Sequence, residues 1–241
     1  MATSAAIKEY PILFTGEMIR AILAGNKTMT RRAVKPQPKG KTAEDFLDDD
    51  EWFKKAFGGL CLPRIKDLPM ECTYGQPGDR LWVRETFLQS MCSYQDITGE
   101  YESYFDREKV EYAADGAIPR FLRPDRVSSP WMAKRPSIHM PRWASRILLE
   151  VVSVRVERLQ EISDGDAINE GVERLPDAPR FFHSYNFGPG NKSKSHCELT
   201  AKDSFRTLWD SINVKRGHPW ESNPWVWVVE FKVIEPAGGP R

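Results

Sequence analysis

A chain of 241 residues is long for one small domain and short for two full ones. With 35 Lys plus Arg against 34 Asp plus Glu, bulk charge does not announce a nucleic-acid binder, so any positive footprint has to come from local segregation. Hydrophobic residues at 40%, including eight tryptophans, suffice for a real core, and no apolar run is long enough to cross a membrane.

The start, Met1-Ala2-Thr3-Ser4-Ala5-Ala6, lacks a charged region followed by an apolar stretch, so a cytoplasmic location is expected. Residues 11–14 read as a short strand leading into an amphipathic helix over 15–24. Thr15 is its N-cap, and Met18, Ile19, Ile22 and Leu23 form the apolar face. Gly25 is placed to end that helix in a left-handed conformation. The groups of Gly25-Asn26-Lys27-Thr28-Met29-Thr30-Arg31-Arg32 then leave on a second short strand, 28–34. They can serve a reactive pocket, or form a cationic corner that holds phosphate or nothing.

Residues 38–78 read as a surface insertion, with the acidic run Asp48-Asp49-Asp50-Glu51 and a short helix over 52–56. Pro77-Gly78-Asp79 is a turn signal before a strand over 80–88. Its alternation puts Leu81, Val83, Glu85 and Phe87 on one face. An inward Glu85 has to be paired, hydrogen-bonded or protonated, either in a structural salt bridge to an arginine of the opening motif or against a substrate. Residues 93–107 read as a loop and 109–114 as a strand with Val110 and Tyr112 on one side.

The segment 120–146 carries Arg120, Arg123, Arg126, Lys134, Arg135, Arg142 and Arg146, opposed only by Asp125. Trp131 and Trp143 lie among them, and prolines keep the chain extended. Charge for phosphate interleaved with rings for stacking suits single-stranded nucleic acid; the alternative is a proline-rich loop whose tryptophans cap the core. A long strand follows over 146–158, with a parity change near Ser153 that suggests the bend of a barrel strand. Ser163 caps a short helix, 164–171, with Asp166 three residues on. Glu170 sits at its end, where the helix dipole disfavours an anion, as suits a general acid; the alternative is an exposed glutamate.

Residues 172–199 read as a second insertion, either a lid or a surface loop. Thr200 caps the clearest helix, 200–212, whose buried stripe is Phe205, Leu208, Trp209 and Ile212. The last strand, 225–234, is apolar on both sides for much of its length and therefore central in its sheet. The tail 236–241 is expected to be disordered. Cys61, Cys72, Cys92 and Cys197 are scattered and expected reduced, and neither they nor the isolated histidines His139, His183, His196 and His218 suggest a metal site or a serine-type triad.

Four segments together resemble the ASCH family. Gly25, Lys27, Thr30 and Arg32 resemble its G-x-K-x-x-T-x-R signature. Residues 77–85, Ala167-Ile168-Asn169-Glu170-Gly171 and Asn223-Pro224-Trp225-Val226-Trp227 resemble further elements of its larger, phage-type members. The resemblance implies an α+β, PUA-like fold: a small β-barrel flanked by helices, here one domain over 8–235 with two loop insertions. It also implies a modified nucleoside or RNA as partner and no cofactor. A short bacterial branch removes acyl groups from the exocyclic nitrogen of cytidine. By that resemblance Lys27, Thr30 and Glu170 carry the reaction, as base, nucleophile and acid. The reading of the residues themselves adds Arg32, Glu85, Tyr112, Trp131 and Trp143 as candidate substrate contacts. The other readings left open are a non-catalytic module that binds RNA or a modified base, and a ribonuclease using the same basic pocket.

Overall fold

Strands outnumber helices among the described residues. The computed structural model describes residues 6–35, 37, 72–95, 98, 101–121, 131–185 and 197–236. In chain order the elements are β1 (Glu9–Leu13), α1 (Gly16–Leu23), β2 (Met29–Ala33), β3 (Arg80–Arg84), β4 (Phe87–Gln95), β5 (Tyr101–Tyr112), β6 (Arg120–Phe121) and β7 (Trp131–Arg135). There follow β8 (Ile147–Arg158), α2 (Asp164–Asn169), β9 (Arg174–Leu175), β10 (Ala178–His183), β11 (Cys197–Glu198), α3 (Ala201–Asn213) and β12 (Trp225–Pro236). The acidic run at 48–51, the helix at 52–56, the turn at 188–190, Arg123, Arg126, Cys61 and the last residues of the tail lie outside the described residues. The described residues group into two compact units, those within 1–24, 79–150 and 233–241 in one and those within 25–78 and 151–232 in the other.

In the first unit β1 pairs β3 in parallel, and β3 pairs the start of β8 antiparallel. Thr15 caps α1 as expected: its Oγ1 accepts from the Met18 amide at 3.4 Å, and Ile19 and Ile22 are buried on the inner face. The strand expected over 80–88 breaks at Glu85 and Thr86, so that β4 turns into a second sheet in the order β5-β4-β7-β6. The inward face is the expected one, since Leu81, Val83, Glu85 and Phe87 are all buried. The loop expected over 93–107 is instead part of a long β4–β5 hairpin, whose register shifts after Gln89. Its residues are polar and aromatic rather than aliphatic; tyrosines pair well across strands, but they supply no apolar alternation to read.

In the second unit the later part of β8 lies beside β12, and β12 pairs β2 antiparallel from Val226–Ala33 to Glu230–Met29. Trp225 to Val229 are buried without a break, as a strand flanked on both sides requires. α3 packs on α2 with Phe205, Leu208 and Trp209 buried as expected, while Ile212 is half-buried. The second insertion is not a plain loop: β10 is held between β9 and β11, and His183 is buried on it. No barrel closes among the described residues, because in neither unit does a run of paired strands return to its first member. The physical reason is plain at β2. Thr28 gives its amide to Asn169 at the end of α2 (2.9 Å), so a helix end, not another strand, covers that edge.

Thr200 accepts from the Asp203 amide at 3.0 Å and caps α3. Thr200→Ala is expected to cost about 1 kcal/mol, read as a lower denaturation midpoint with an unchanged denaturant slope.

Candidate active site

The site is built where the end of α2 meets the start of β2 in the second unit. Gly25 adopts φ +76°, the left-handed region expected of it, and the chain then enters β2 through Lys27. Lys27 bridges Glu170 backbone to backbone, and on the other side Thr28 accepts from the Phe231 amide of β12 at 2.9 Å. Glu170 is the C-cap of α2 and Gly171, at φ +88°, turns the chain away after it.

Lys27 is buried, at 1% exposure, and so is Glu170, at 3%. The Lys27 Nζ donates to Met29 O at 2.8 Å, to Glu170 O at 2.7 Å and to Glu170 Oε2 at 2.8 Å. An ammonium has three hydrogens, and each has an acceptor here. Burial pulls the Lys27 pKa below the ordinary lysine value; the Glu170 charge and hydrogen bond oppose that shift, and the charges of Arg32 and Arg31 add to it. The direction is downward because dehydration of the ammonium is the largest effect.

Arg31 is the residue whose role the sequence reading underrated. Its side chain is buried, and it contacts the other carboxylate oxygen, Glu170 Oε1, through Nη1 at 3.3 Å. It also donates to Glu157 Oε1 from Nε at 3.1 Å and from Nη2 at 2.5 Å, and to Asp166 Oδ2 at 2.7 Å. Arg155 closes the ring, giving Nε to Glu157 Oε2 at 3.0 Å and Nη2 to Asp166 Oδ2 at 2.8 Å. A signal was present: Arg155 and Glu157 are opposite charges two apart on one strand face.

Thr30 is buried and pairs Val229 through the backbone. Strand alternation puts Thr30 and Arg32 on the face opposite Met29 and Arg31. Among the described residues β2 is the last strand of its sheet, and Glu170 bridges Lys27 just before it. Burial lowers the Arg32 pKa from its ordinary value, Tyr74 and Glu170 oppose that shift, and Arg216 adds to it.

The other residues named from the sequence are engaged in the first unit. Glu85 is paired, but with Arg146 rather than an arginine of the opening motif: Nε to Oε1 at 2.9 Å and Nη2 to Oε2 at 3.1 Å. Burial raises the Glu85 pKa, with the Arg146 bonds opposing. Arg146 also holds Asp115 and lies 3.9 Å above the Tyr112 ring. The Tyr112 hydroxyl donates to Ala144 O at 3.0 Å, and Trp143 packs against the cluster of Phe87, Met140 and Ala144. The Trp131 side chain lies outside the described residues. A shallow depression of about 400 Å³ beside Tyr112 is lined by Val110, Glu111, Asp115, Gly116 and Ala117. Three of the described basic residues of the segment have acidic partners. Arg120 pairs Glu111, Arg142 pairs Glu9 and Arg146 pairs Glu85, acids too distant in sequence for a local charge count to include.

Among the described residues no group of His, Cys, Asp and Glu is placed to hold a metal ion, and no helix is long and apolar enough to cross a membrane. Cys72 is buried, which pushes its thiol up to about 11.

No protein-family model and no curated protein matches this chain. Among solved structures, the crystal structure of an ASCH domain from Lactobacillus crispatus JV V101 is similar at 12% identity and a TM-score of 0.35. The match covers 95% of this chain and 80% of that one.

Proposed function

We propose that the second unit hydrolyses the amide of an N4-acylcytidine-like nucleoside, with Lys27 as base, Thr30 as nucleophile and Glu170 as acid. The observation that carries this reading is the 2.8 Å contact between Lys27 Nζ and Glu170 Oε2, between two groups 143 residues apart in sequence and both shielded from water. Buried ion pairs are a poor way to gain stability, and perturbed charges of this kind gather at reactive sites. The resemblance of Gly25, Lys27, Thr30, Arg32 and Glu170 to the ASCH motifs points the same way.

The chemistry starts from the ion pair. Passing one proton from Nζ to Oε2 gives a neutral amine and a neutral carboxylic acid, the two forms the reaction needs. The amine lone pair then points at Glu170, because Met29 O and Glu170 O hold the remaining hydrogens. Substrate therefore has to draw the Glu170 carboxyl aside, toward its exocyclic nitrogen. The freed lone pair takes the Thr30 hydroxyl proton as Oγ1 bonds to the acyl carbon. Arg32, on the same face as Thr30, neutralises the oxyanion. The carbon–nitrogen bond breaks as Glu170 protonates the leaving nitrogen, and water then releases the acyl group from Thr30.

The test is incubation of the purified chain with N4-acetylcytidine, read by chromatography. Release of cytidine in step with protein concentration is the expected result; acetylcytidine left intact would end the hydrolytic reading. A second reading, a non-catalytic module that recognises an acylated base, is favoured by the full occupancy of the Lys27 hydrogens. It predicts saturable binding of the same nucleoside with no turnover.

A further inference from the structure

We propose that Arg31 is the positioning residue of this site, holding Glu170 by Oε1 so that Oε2 alone shares a proton with Lys27. This rests on the hydrolytic reading. A free carboxyl presents two equivalent oxygens and several rotamers. Here each oxygen has its own cation, Arg31 Nη1 on Oε1 and Lys27 Nζ on Oε2. Arg31 is itself fixed, because its Nε and Nη2 are committed to Glu157 and Asp166. Those two acids are tied to each other through Arg155. The ring fastens α2, which carries Asp166 and ends at Glu170, to β2 and β8.

The contact lengths suit the task. At 3.3 Å the Arg31 contact to Glu170 is the longest of the ion pairs in the cluster, against 2.8 Å for Lys27. When Oε2 leaves Lys27 with the proton, Oε1 keeps its partner and the carboxyl turns about a held point. Arg31 stands outside the motif residues that resemble the ASCH signature, and it touches neither Thr30's face nor the leaving nitrogen. It acts through Glu170.

The experiment compares Arg31→Lys, Arg31→Gln and Glu157→Gln with wild type, using N4-acetylcytidine, with folding checked by circular dichroism. Two readouts are taken: kcat and KM across pH, and a nitrogen-detected NMR titration of the Lys27 amine that needs no turnover. Arg31→Lys keeps the charge and loses the fork, so kcat is expected to fall about 100-fold with KM within about twofold. Arg31→Gln removes a cation beside the ammonium, so the Lys27 midpoint moves to higher pH, and the acid limb of the rate profile moves with it. Glu157→Gln leaves Arg31 in place but slackens the ring, and kcat falls about tenfold. Wild-type kcat in folded Arg31→Lys, or an unmoved Lys27 midpoint in Arg31→Gln, overturns the assignment. Should both Arg31 variants fail to fold, unchanged kcat in Glu157→Gln overturns it. Should wild type release no cytidine, the hydrolytic reading falls by itself, while the Lys27 midpoint in Arg31→Gln still decides whether Arg31 governs the pair.

Discussion

Glu170→Ala is expected to destabilise the protein by about 3–5 kcal/mol, the usual consequence of leaving one half of a buried ion pair behind. The stranded group is the Lys27 ammonium, at 1% exposure, which keeps Met29 O and the residue-170 carbonyl as acceptors but loses its carboxylate. Arg31 loses a partner as well, although Glu157 and Asp166 still hold it. The paired change Lys27→Met with Glu170→Met removes both charges and keeps the volume. It should recover part of the loss, not all, because two carbonyls lose their donor at about 1–3 kcal/mol each. Urea denaturation with the slope held constant reads both effects. The pH dependence separates them further. The folded Lys27 pKa lies below its unfolded value, so between the two the unfolded chain holds the extra proton and stability rises with pH. Lys27→Met removes that rise. A Glu170→Ala cost below about 1 kcal/mol would mean the pair is no more than a solvated surface contact.

Local chemistry was legible where one segment decides its own structure. Thr15, Thr200 and Ser163 each cap the helix assigned to them, because an N-cap bond spans only three residues. The unbroken apolar run of β12 gave its central place for the same reason. Partners across the chain were not legible. Glu85 had to be paired once it pointed inward, but sequence could not choose among the arginines, and Arg146 is 61 residues away. The basic segment looked uncompensated because Glu9 and Glu111 lie outside it. No barrel closes among the described residues, and at β2 the Thr28 amide goes to the carbonyl of Asn169 at a helix end, a partner far away in sequence that no local pattern announces. Of the site, Lys27 and Glu170 were named from the motifs, whereas their ion pair and the role of Arg31 needed the positions of three acids on two other elements.

Thr30→Val should reduce acyl release on the order of 10⁴- to 10⁶-fold, the scale of losing a nucleophile that acts as a unit with its base. The substitution is chosen for β2. Thr30 is buried and pairs Val229 through the backbone, and valine keeps the β-branched shape while deleting only the hydroxyl. Thr30→Ser restores a hydroxyl and should restore measurable turnover. With wild type and a slow-leaving acyl substrate, mass spectrometry should find the acyl group on the peptide that contains Thr30. The Lys27–Glu170 pair lies on neighbouring segments and should survive the change, so nucleoside binding should persist in Thr30→Val. One result would redraw the mechanism. If Thr30→Val turns over normally while Lys27→Met does not, water is the nucleophile, and the buried pair alone activates it and protonates the leaving nitrogen. The face opposite Met29 and Arg31 would then hold substrate without bonding to it.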